Sequence, residues 1–127
     1  MLTGTPSGKS QDTEPTIEAT WPTSEVALVV LSGEQDMGSA REVEDAMREA
    51  LQSCGHLVVD LSAVQFIDSS IINLLVQMRR EAAEQGCAFN LVLQDAPPIE
   101  RTMEICGVLP ELNHVRTLDL ALRGRKA

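Results

Sequence analysis

The stretch Leu57-Val58-Val59-Asp60-Leu61-Ser62, followed after one residue by Val64-Gln65-Phe66-Ile67-Asp68-Ser69-Ser70, carries the main signals for the fold. The apolar run at 57–61 predicts a strand buried in a sheet, and a loop is expected around residues 63–68. A long helix is then predicted, with Gly86 as its C-cap. One face of this helix is apolar at helical spacing: Ile71, Leu74, Leu75, Met78 and Ala82.

A strand and a helix are predicted before this stretch. Residues 26–31 form a second unbroken apolar run, which Ser32-Gly33 is expected to close. Ser39 and Glu42 have the spacing of a capping box, which predicts the start of a helix. Apolar residues then recur at helical spacing until Gly55: Ala40, Val43, Ala46, Met47, Ala50 and Leu51.

The segments outside these elements complete a sheet. A third buried strand is predicted at 88–93, then a short helix that opens at Pro97-Pro98 and ends at Gly107, and a last strand at 115–118. Residues 16–20 are expected to add a short edge strand. Strands separated by helices of this length favour parallel pairing, so we predict one α/β domain. Its sheet is mixed, mostly parallel and four- or five-stranded, with crossover helices.

The chain ends differ in composition from this domain. Residues 1–14 are rich in Thr, Ser, Gly, Gln and Pro and have almost no large apolar side chains, so we expect a disordered tail. Residues 15–122 are expected to form the domain, and 123–127 a short basic tail.

Charge and composition exclude several classes of partner. The net charge of -9 opposes binding to nucleic acid and to anionic lipid, and an aromatic content of 2% leaves too few rings to stack on bases. Apolar runs are too short to cross a bilayer and the N-terminus lacks a signal-peptide pattern, so a cytoplasmic protein without membrane insertion is expected. Three widely spaced cysteines suggest no disulfide framework or zinc site, and we interpret them as small buried residues: Cys54, Cys87 and Cys106.

Polar residues at the ends of two predicted strands are the candidate site. They are the segment 33–36, Gly-Glu-Gln-Asp, and Asp68-Ser69-Ser70 at the start of the long helix. Asp and Ser are common N-caps, which is the simplest interpretation of the second group. One cap needs only one residue, however, so at least one hydroxyl should stay free near solvent. Phosphorylation suits a hydroxyl there, because a helix N-terminus tolerates a dianion.

Enzymatic and metal-binding alternatives have less support. Asp60 with Glu34 and Asp36 would suit a phosphoacceptor domain, but that site needs a lysine near the end of the last strand, and the only lysines, Lys9 and Lys126, are both in the tails. Ser69 lacks the Gly-x-Ser-x-Gly pattern of a hydrolytic nucleophile. Isolated carboxylates on loops are more often caps than cation ligands. We therefore expect no enzyme activity, no cofactor and no metal.

The sequence resembles the STAS family of anti-sigma-factor antagonists. The likeness covers about residues 25–122 and rests on the segment 31–36, on the stretch quoted first, and on Ile105-Cys106-Gly107-Val108. It implies a protein that binds an anti-sigma factor kinase when unphosphorylated and is released when that ATP-using partner phosphorylates one serine. The family's target residue maps to Ser69. A serine phosphatase is a second candidate partner, and a STAS adaptor or scaffold without phosphorylation control is the alternative.

Two residues depart from the family pattern. Ile71-Ile72 stands where glycine and leucine are common, and Gln35 stands where leucine is usual. The isoleucines would put β-branched side chains where a partner approaches, so Ile72 is included among the expected contacts. The expected partner-binding residues are Gly33, Glu34, Asp36, Asp68, Ser69, Ser70 and Ile72.

Overall fold

The computed structural model describes residues 13–53 and 55–124, which form a mixed sheet with helices on both faces. The strands are β1 (Thr16–Thr20), β2 (Val26–Gln35), β3 (His56–Ile67), β4 (Ala88–Val92) and β5 (His114–Val115). The helices are α1 (Ala40–Leu51), α2 (Ser69–Glu84), α3 (Pro97–Cys106) and α4 (Leu118–Gly124), with a 3-10 turn at Leu109–Glu111. Residues 1–12, Cys54 and 125–127, on which parts of the predictions fall, lie outside the described residues.

The sheet has the strand order β1-β2-β3-β4-β5. Strand β1 runs antiparallel to β2, and all other neighbours are parallel. This confirms the α/β class and the mixed, mostly parallel sheet, and it confirms residues 16–20 as an edge strand. Because the parallel strands all end at the same edge of the sheet, the loops after β2 and β3 lie side by side.

Strands β2 and β3 are longer than predicted. Ser32-Gly33 does not close β2, and residues 63–67 are not a loop, because Ser32 pairs with Ala63 and Gln35 pairs with Ile67. The register shifts twice along this ladder, and such bulges let the two strands continue through an irregular polar pattern. The two candidate segments, 33–36 and 68–70, therefore lie at the same end of one extended strand pair.

Most of the core lies between the sheet and helices α1, α2 and α3. It contains the apolar face predicted for the long helix, with Ile71, Leu75, Met78 and Ala82 fully buried. Buried strand residues complete it, among them Val29, Leu31, Leu57, Val59, Leu61 and Leu91. The burial of these strand residues against the helix fixes where α2 begins relative to the end of β3.

A smaller core covers the other face of the sheet. The predicted strand 115–118 is wrong, because β5 ends at Val115 and Leu118 begins helix α4. Ala121 on this helix packs with Val26, Val58 and Val92. The helix has four apolar residues among seven, and a segment this short does not show a helical period that could be recognised in the sequence.

The cysteine prediction is correct at one position and wrong at another. Cys87 is buried before β4, whereas Cys106 is exposed at the end of α3. The buried residues of α3 are Ile99 and Met103, whereas Cys106 is the last residue before the C-cap Gly107 and the neighbouring Ile105 is 80% exposed.

The capping box predicted at the start of α1 is wrong. Ser39 is the N-cap residue, but its side chain makes no capping hydrogen bond. Its hydroxyl donates instead to the amide oxygen of Gln35 at 2.7 Å, and both residues are buried. The amide nitrogen of Gln35 donates to the carbonyl oxygens of Thr16 at 3.1 Å and Ser32 at 2.8 Å. Gln35 therefore ties the edge strand and the loop before α1 to the end of β2.

We expect Ser39→Ala to lower the free energy of unfolding by about 1–3 kcal/mol, because it leaves the buried oxygen of Gln35 without a donor. Glu42→Ala, the other half of the predicted box, should change it by less than about 0.5 kcal/mol. Urea unfolding measures both values. In a Gln35→Leu background the cost of Ser39→Ala should shrink. Equal losses of unfolding free energy for Ser39→Ala and Glu42→Ala would instead support the capping box.

Candidate functional site

The carboxylate of Asp68 organises the site at the end of β3. As the N-cap of α2, its Oδ1 accepts hydrogen bonds from the backbone N–H groups of Ser70 at 3.0 Å and Ile71 at 3.2 Å. Its Oδ2 accepts from the backbone N–H of Met37 at 3.1 Å, in the loop between β2 and α1. One side chain thus caps the helix and holds the neighbouring loop against it.

These contacts also set the ionisation of Asp68. Partial burial opposes the charged form, but hydrogen bonds from the Ser70 hydroxyl and from the N–H groups of Ile71, Met37 and Ser70 outweigh it. The pKa of Asp68 is therefore below its usual value. The site carries a fixed negative charge at neutral pH.

The two serines after Asp68 have different environments. The Ser70 hydroxyl donates to Oδ1 of Asp68 at 2.6 Å and is partly buried. Ser69 is the first residue of α2, is exposed, and its hydroxyl makes no hydrogen bond to another residue in the described part of the chain. The expectation of one engaged and one free hydroxyl therefore matches this geometry, and Ser69 has the free one.

The segment 33–36, at the end of β2, is brought to the same place by the Met37 contact. Asp36 is partly buried and accepts a hydrogen bond from the N–H of Gly38 at 2.8 Å, and Glu34 is exposed on β2. Gly33 is buried, with a φ of 77°, and a Cβ there would collide with the backbone of Glu14. Gly33 is thus required for the approach of the segment before β1, and its predicted partner contact stays a prediction that its burial does not favour.

Burial also disfavours the predicted partner contact at Ile72. Only 2% of its surface is exposed, and Ile71 is fully buried. Two adjacent helical positions can both be buried here because α2 has neighbours on both flanks besides the sheet. Helix α1 lies beside Ser70 and Leu74, whereas Val108 and Glu111 lie beside Val76, on the flank that also carries Ile72. The two isoleucines therefore add no bulk to the surface beside Ser69.

Exposed apolar residues near the site were not predicted. Met37, whose backbone contacts Asp68, is 76% exposed, and Phe66 near the end of β3 is 49% exposed. An apolar residue between Asp36 and Gly38, in an otherwise polar loop, is the sequence signal that could have identified Met37.

A groove between α1 and α2 extends from this point. Its volume is about 390 Å³, and Met37, Ser70, Asn73 and Gln77 lie along it. One turn further along, Arg48 of α1 donates to Glu81 of α2 at 3.1 Å. Hydrogen bonds from Arg48 outweigh desolvation and lower the pKa of Glu81, so the two helices are held by an ion pair at the far end of the groove.

The alternatives considered from the sequence gain nothing from the geometry. Asp60 lies in the middle of β3, paired with Val30 and Val92, and its carboxylate accepts from the N–H of Ser62. It is therefore not at a strand end. Across residues 13–53 and 55–124, no cluster of three or more His, Cys, Asp and Glu side chains could hold a metal ion. None of the helices described is long and apolar enough to cross a membrane.

Comparison with known proteins identifies the family to which this fold belongs. The family model described as "Mlab, STAS domain" matches residues 20–109. A protein of Paenibacillus polymyxa named "Anti-sigma F factor antagonist" is 32% identical over 85 residues, which are 65% of this chain and 72% of that protein. The chain belongs to the STAS-domain family of anti-sigma factor antagonists.

Solved structures agree with this assignment. The crystal structure of an anti-sigma factor antagonist from Mycobacterium paratuberculosis has a TM-score of 0.80 at 28% identity. The match covers 90% of this STAS domain protein and 96% of the antagonist. The antagonist SpoIIAA in its unphosphorylated form has a TM-score of 0.73 at 19% identity, over 88% and 98% of the two chains. The phosphorylated form of the Bacillus SpoIIAA has a TM-score of 0.64 at 18% identity, over 86% and 98%. The SpoIIAA structures establish the same fold.

Removing the Asp68 carboxylate should destabilise the STAS domain in a pH-dependent way. We expect Asp68→Ala to lower the free energy of unfolding by about 1–2 kcal/mol near neutral pH, as for other lost N-caps. Because the folded-state pKa is lowered, this contribution is complete above the pKa of an unfolded aspartate. It is lost as the pH falls through the folded value. Urea unfolding from about pH 7 to about pH 3 measures the difference between the variant and wild type.

Glu34→Ala is the matched control, since Glu34 is exposed on the neighbouring strand. It should leave stability unchanged at every pH. A difference between Asp68→Ala and wild type that stays constant down to about pH 3 would contradict the lowered pKa.

Proposed function

We propose that this STAS domain binds an anti-sigma factor with serine kinase activity when Ser69 is unmodified and releases it when Ser69 is phosphorylated. The observation that carries the proposal is the different state of the two serines. Ser70 is bonded to Asp68, whereas the hydroxyl of Ser69 is exposed on the first turn of α2. A kinase can reach an exposed hydroxyl without unfolding the helix.

The contacts of the first turn favour a phosphate that stays on the surface. Asp68 already accepts from the N–H groups of Ser70 and Ile71, and the N–H of Ile72 donates to the backbone oxygen of Asp68. A phosphate on Ser69 therefore finds few free donors in the helix and lies beside a carboxylate. It adds about -1.5 to -2 charges to a surface that is already acidic.

The fold should tolerate this change better than an interface does. The helix N-terminus offsets part of the repulsion, so we expect stability to change by no more than about 1 kcal/mol. A partner surface shaped for a neutral serine would have to bury or expel a hydrated dianion, which costs much more. Phosphorylation would then act on affinity while the domain remains folded. Reversal requires a serine phosphatase as a further partner.

The surface next to Ser69 has the properties of an interface. Met37 offers an exposed apolar side chain, and the groove between α1 and α2 begins beside it. A second groove of about 590 Å³ runs along the other side of α2, so that Asn73 and Gln77 line both. Ile71 and Ile72 are buried and leave this approach open. The exposed ridge of α2 is thus the expected centre of the complex.

The proposed role is binding and requires no catalysis by this chain. His56 is buried at the first residue of β3, bonded to Asn90, and Ser69 lies beyond the other end of the same strand. His114 pairs with Leu91, which is level with Val59 on β3. Neither histidine is placed to act as a base toward Ser69, which supports a regulatory serine over a nucleophile.

Incubation with the cognate anti-sigma factor and ATP should place one phosphate on wild type and on Ser70→Ala, and none on Ser69→Ala. Mass spectrometry locates the phosphate. Calorimetry should show that Ser69→Ala keeps wild-type affinity within about threefold, whereas phosphorylated wild type binds at least about a hundredfold more weakly, about 2.7 kcal/mol.

Ser69→Asp should show an intermediate affinity, because one carboxylate carries less charge than a phosphate. Phosphate on Ser70 alone, or equal affinity before and after modification of Ser69, would contradict the switch. Tight binding in every state would instead support an adaptor without phosphorylation control.

We expect Met37→Ala to weaken binding of the anti-sigma factor about tenfold and to change the free energy of unfolding by less than about 0.5 kcal/mol, because its side chain is mostly outside the core. Leu120→Ala is the control, since Leu120 is also a partly exposed apolar residue but lies on α4, on the opposite face of the sheet. It should leave affinity unchanged. Equal losses of affinity for the two variants would exclude a specific contact at Met37.

A further inference from the structure

We propose that the outer edge of β1 is a second docking site, which accepts an extended basic segment of a partner protein as an additional strand. This site is separate from the Ser69 surface, because β2 and β3 lie between β1 and the start of α2. It is defined by the strand edge, by the groove beside it and by the charge of that groove.

The edge of β1 is open among the described residues. Strand β1 is the terminal strand of the sheet and pairs only with β2. Thr16 lies opposite Ser32 at one end of this ladder, and Thr20 lies opposite Leu28 at the other. In an antiparallel ladder every second residue directs its N–H and C=O groups away from its neighbour. The outward groups of β1 can therefore form main-chain hydrogen bonds with an added strand.

A groove lies beside this edge, between β1 and α1. Its volume is about 380 Å³, and its apolar lining includes Ile17 and Ala46. A strand added at β1 would lie about 4.8 Å from it and would direct alternate side chains toward the helix. The groove is thus where the side chains of one face of that strand would be placed.

The charge of the groove selects the occupant. Glu42, Asp45 and Glu49 line it from α1, at spacings that put them on one side of the helix, and all three are exposed. In the described part of the chain, none of these carboxylates forms a salt bridge. Lysine or arginine at alternate positions of the added strand would supply the missing cations.

The same charges disfavour a second copy of this chain. Antiparallel pairing of two β1 strands over their full length would place Glu18 opposite Glu18 and would bring two acidic grooves together. Each chain also has a net charge of -9. Charged residues on an edge strand are a common protection against self-pairing. A basic partner strand meets opposite charge on both faces, from Glu18 on one and from the groove on the other.

The test uses the full chain and a fluorescent nine-residue peptide of alternating Lys and Val. Fluorescence anisotropy at low salt should show saturable binding, and amide NMR shifts should concentrate in β1 and α1. A peptide of alternating Glu and Val should not bind. A Lys–Val peptide with alternate backbone nitrogens methylated keeps its charge but loses ladder donors, and it should bind at least about tenfold more weakly.

A charge-matched pair of variants tests the groove. Glu42→Gln, Asp45→Asn and Glu49→Gln together should weaken binding of the Lys–Val peptide about tenfold. Glu84→Gln, Glu104→Gln and Asp119→Asn remove the same charge from α2, α3 and α4 and should weaken it less than about twofold. All six residues are exposed, so circular dichroism should show both variants folded.

Three results would overturn the proposal. Equal affinities for the methylated and unmethylated peptides would indicate attraction by charge alone. Equal losses for the two triple variants would remove the groove as the source of specificity. Sedimentation of a dimer that the peptide dissociates would assign the edge to a second copy. None of these measurements involves Ser69, so they are independent of the proposed switch.

Discussion

Asp68 joins two parts of the chain that are 31 residues apart, and the geometry of the site depends on it. Its carboxylate caps α2 and also holds the backbone of Met37. The loop after β2 and the start of α2 therefore form one surface rather than two independent ends. A carboxylate that accepts several hydrogen bonds at a helix N-terminus is both a structural anchor and a fixed charge. The free hydroxyl of Ser69 is presented by this arrangement.

Long-period patterns made much of the fold predictable from the sequence. The helix that begins after Asp68 was recognised because its apolar face repeats over several turns, and the sheet followed from apolar runs between helices. The candidate site followed from the same elements, since polar residues after parallel strands collect at one edge of the sheet. The sequence alone does not establish which of the two serine hydroxyls is free. Ser69 and Ser70 have identical side chains, and only the folded structure shows that the Ser70 hydroxyl bonds to Asp68.

The remaining features depend on contacts between distant residues. Ser32-Gly33 has the composition of a turn, but pairing with residues 63 and 64 keeps it in the strand through a bulge. Ser39 has the spacing of a cap, but a buried amide four residues earlier is the better acceptor for its hydroxyl. Ile72 has an outward position on a single helix, yet it is buried, because the segment 108–111 lies beside its flank of α2. The sequence around each of these residues does not show which distant residues it will contact in the folded chain.

The bond between Gln35 and Ser39 has a consequence for how this sequence can diverge. Leucine is usual in the family at the position of Gln35, and it needs no hydrogen-bond partner at residue 39. A buried glutamine needs a donor for its oxygen, which Ser39 supplies here. Replacing Ser39 alone leaves the buried oxygen of Gln35 without a donor, whereas replacing Gln35 alone leaves the Ser39 hydroxyl its hydrogen bonds to the backbone of Asp36. The dependence therefore runs in one direction, from Gln35 to Ser39. In an alignment of descendants of this chain, we expect substitutions at 39 mainly on branches that have already lost Gln35.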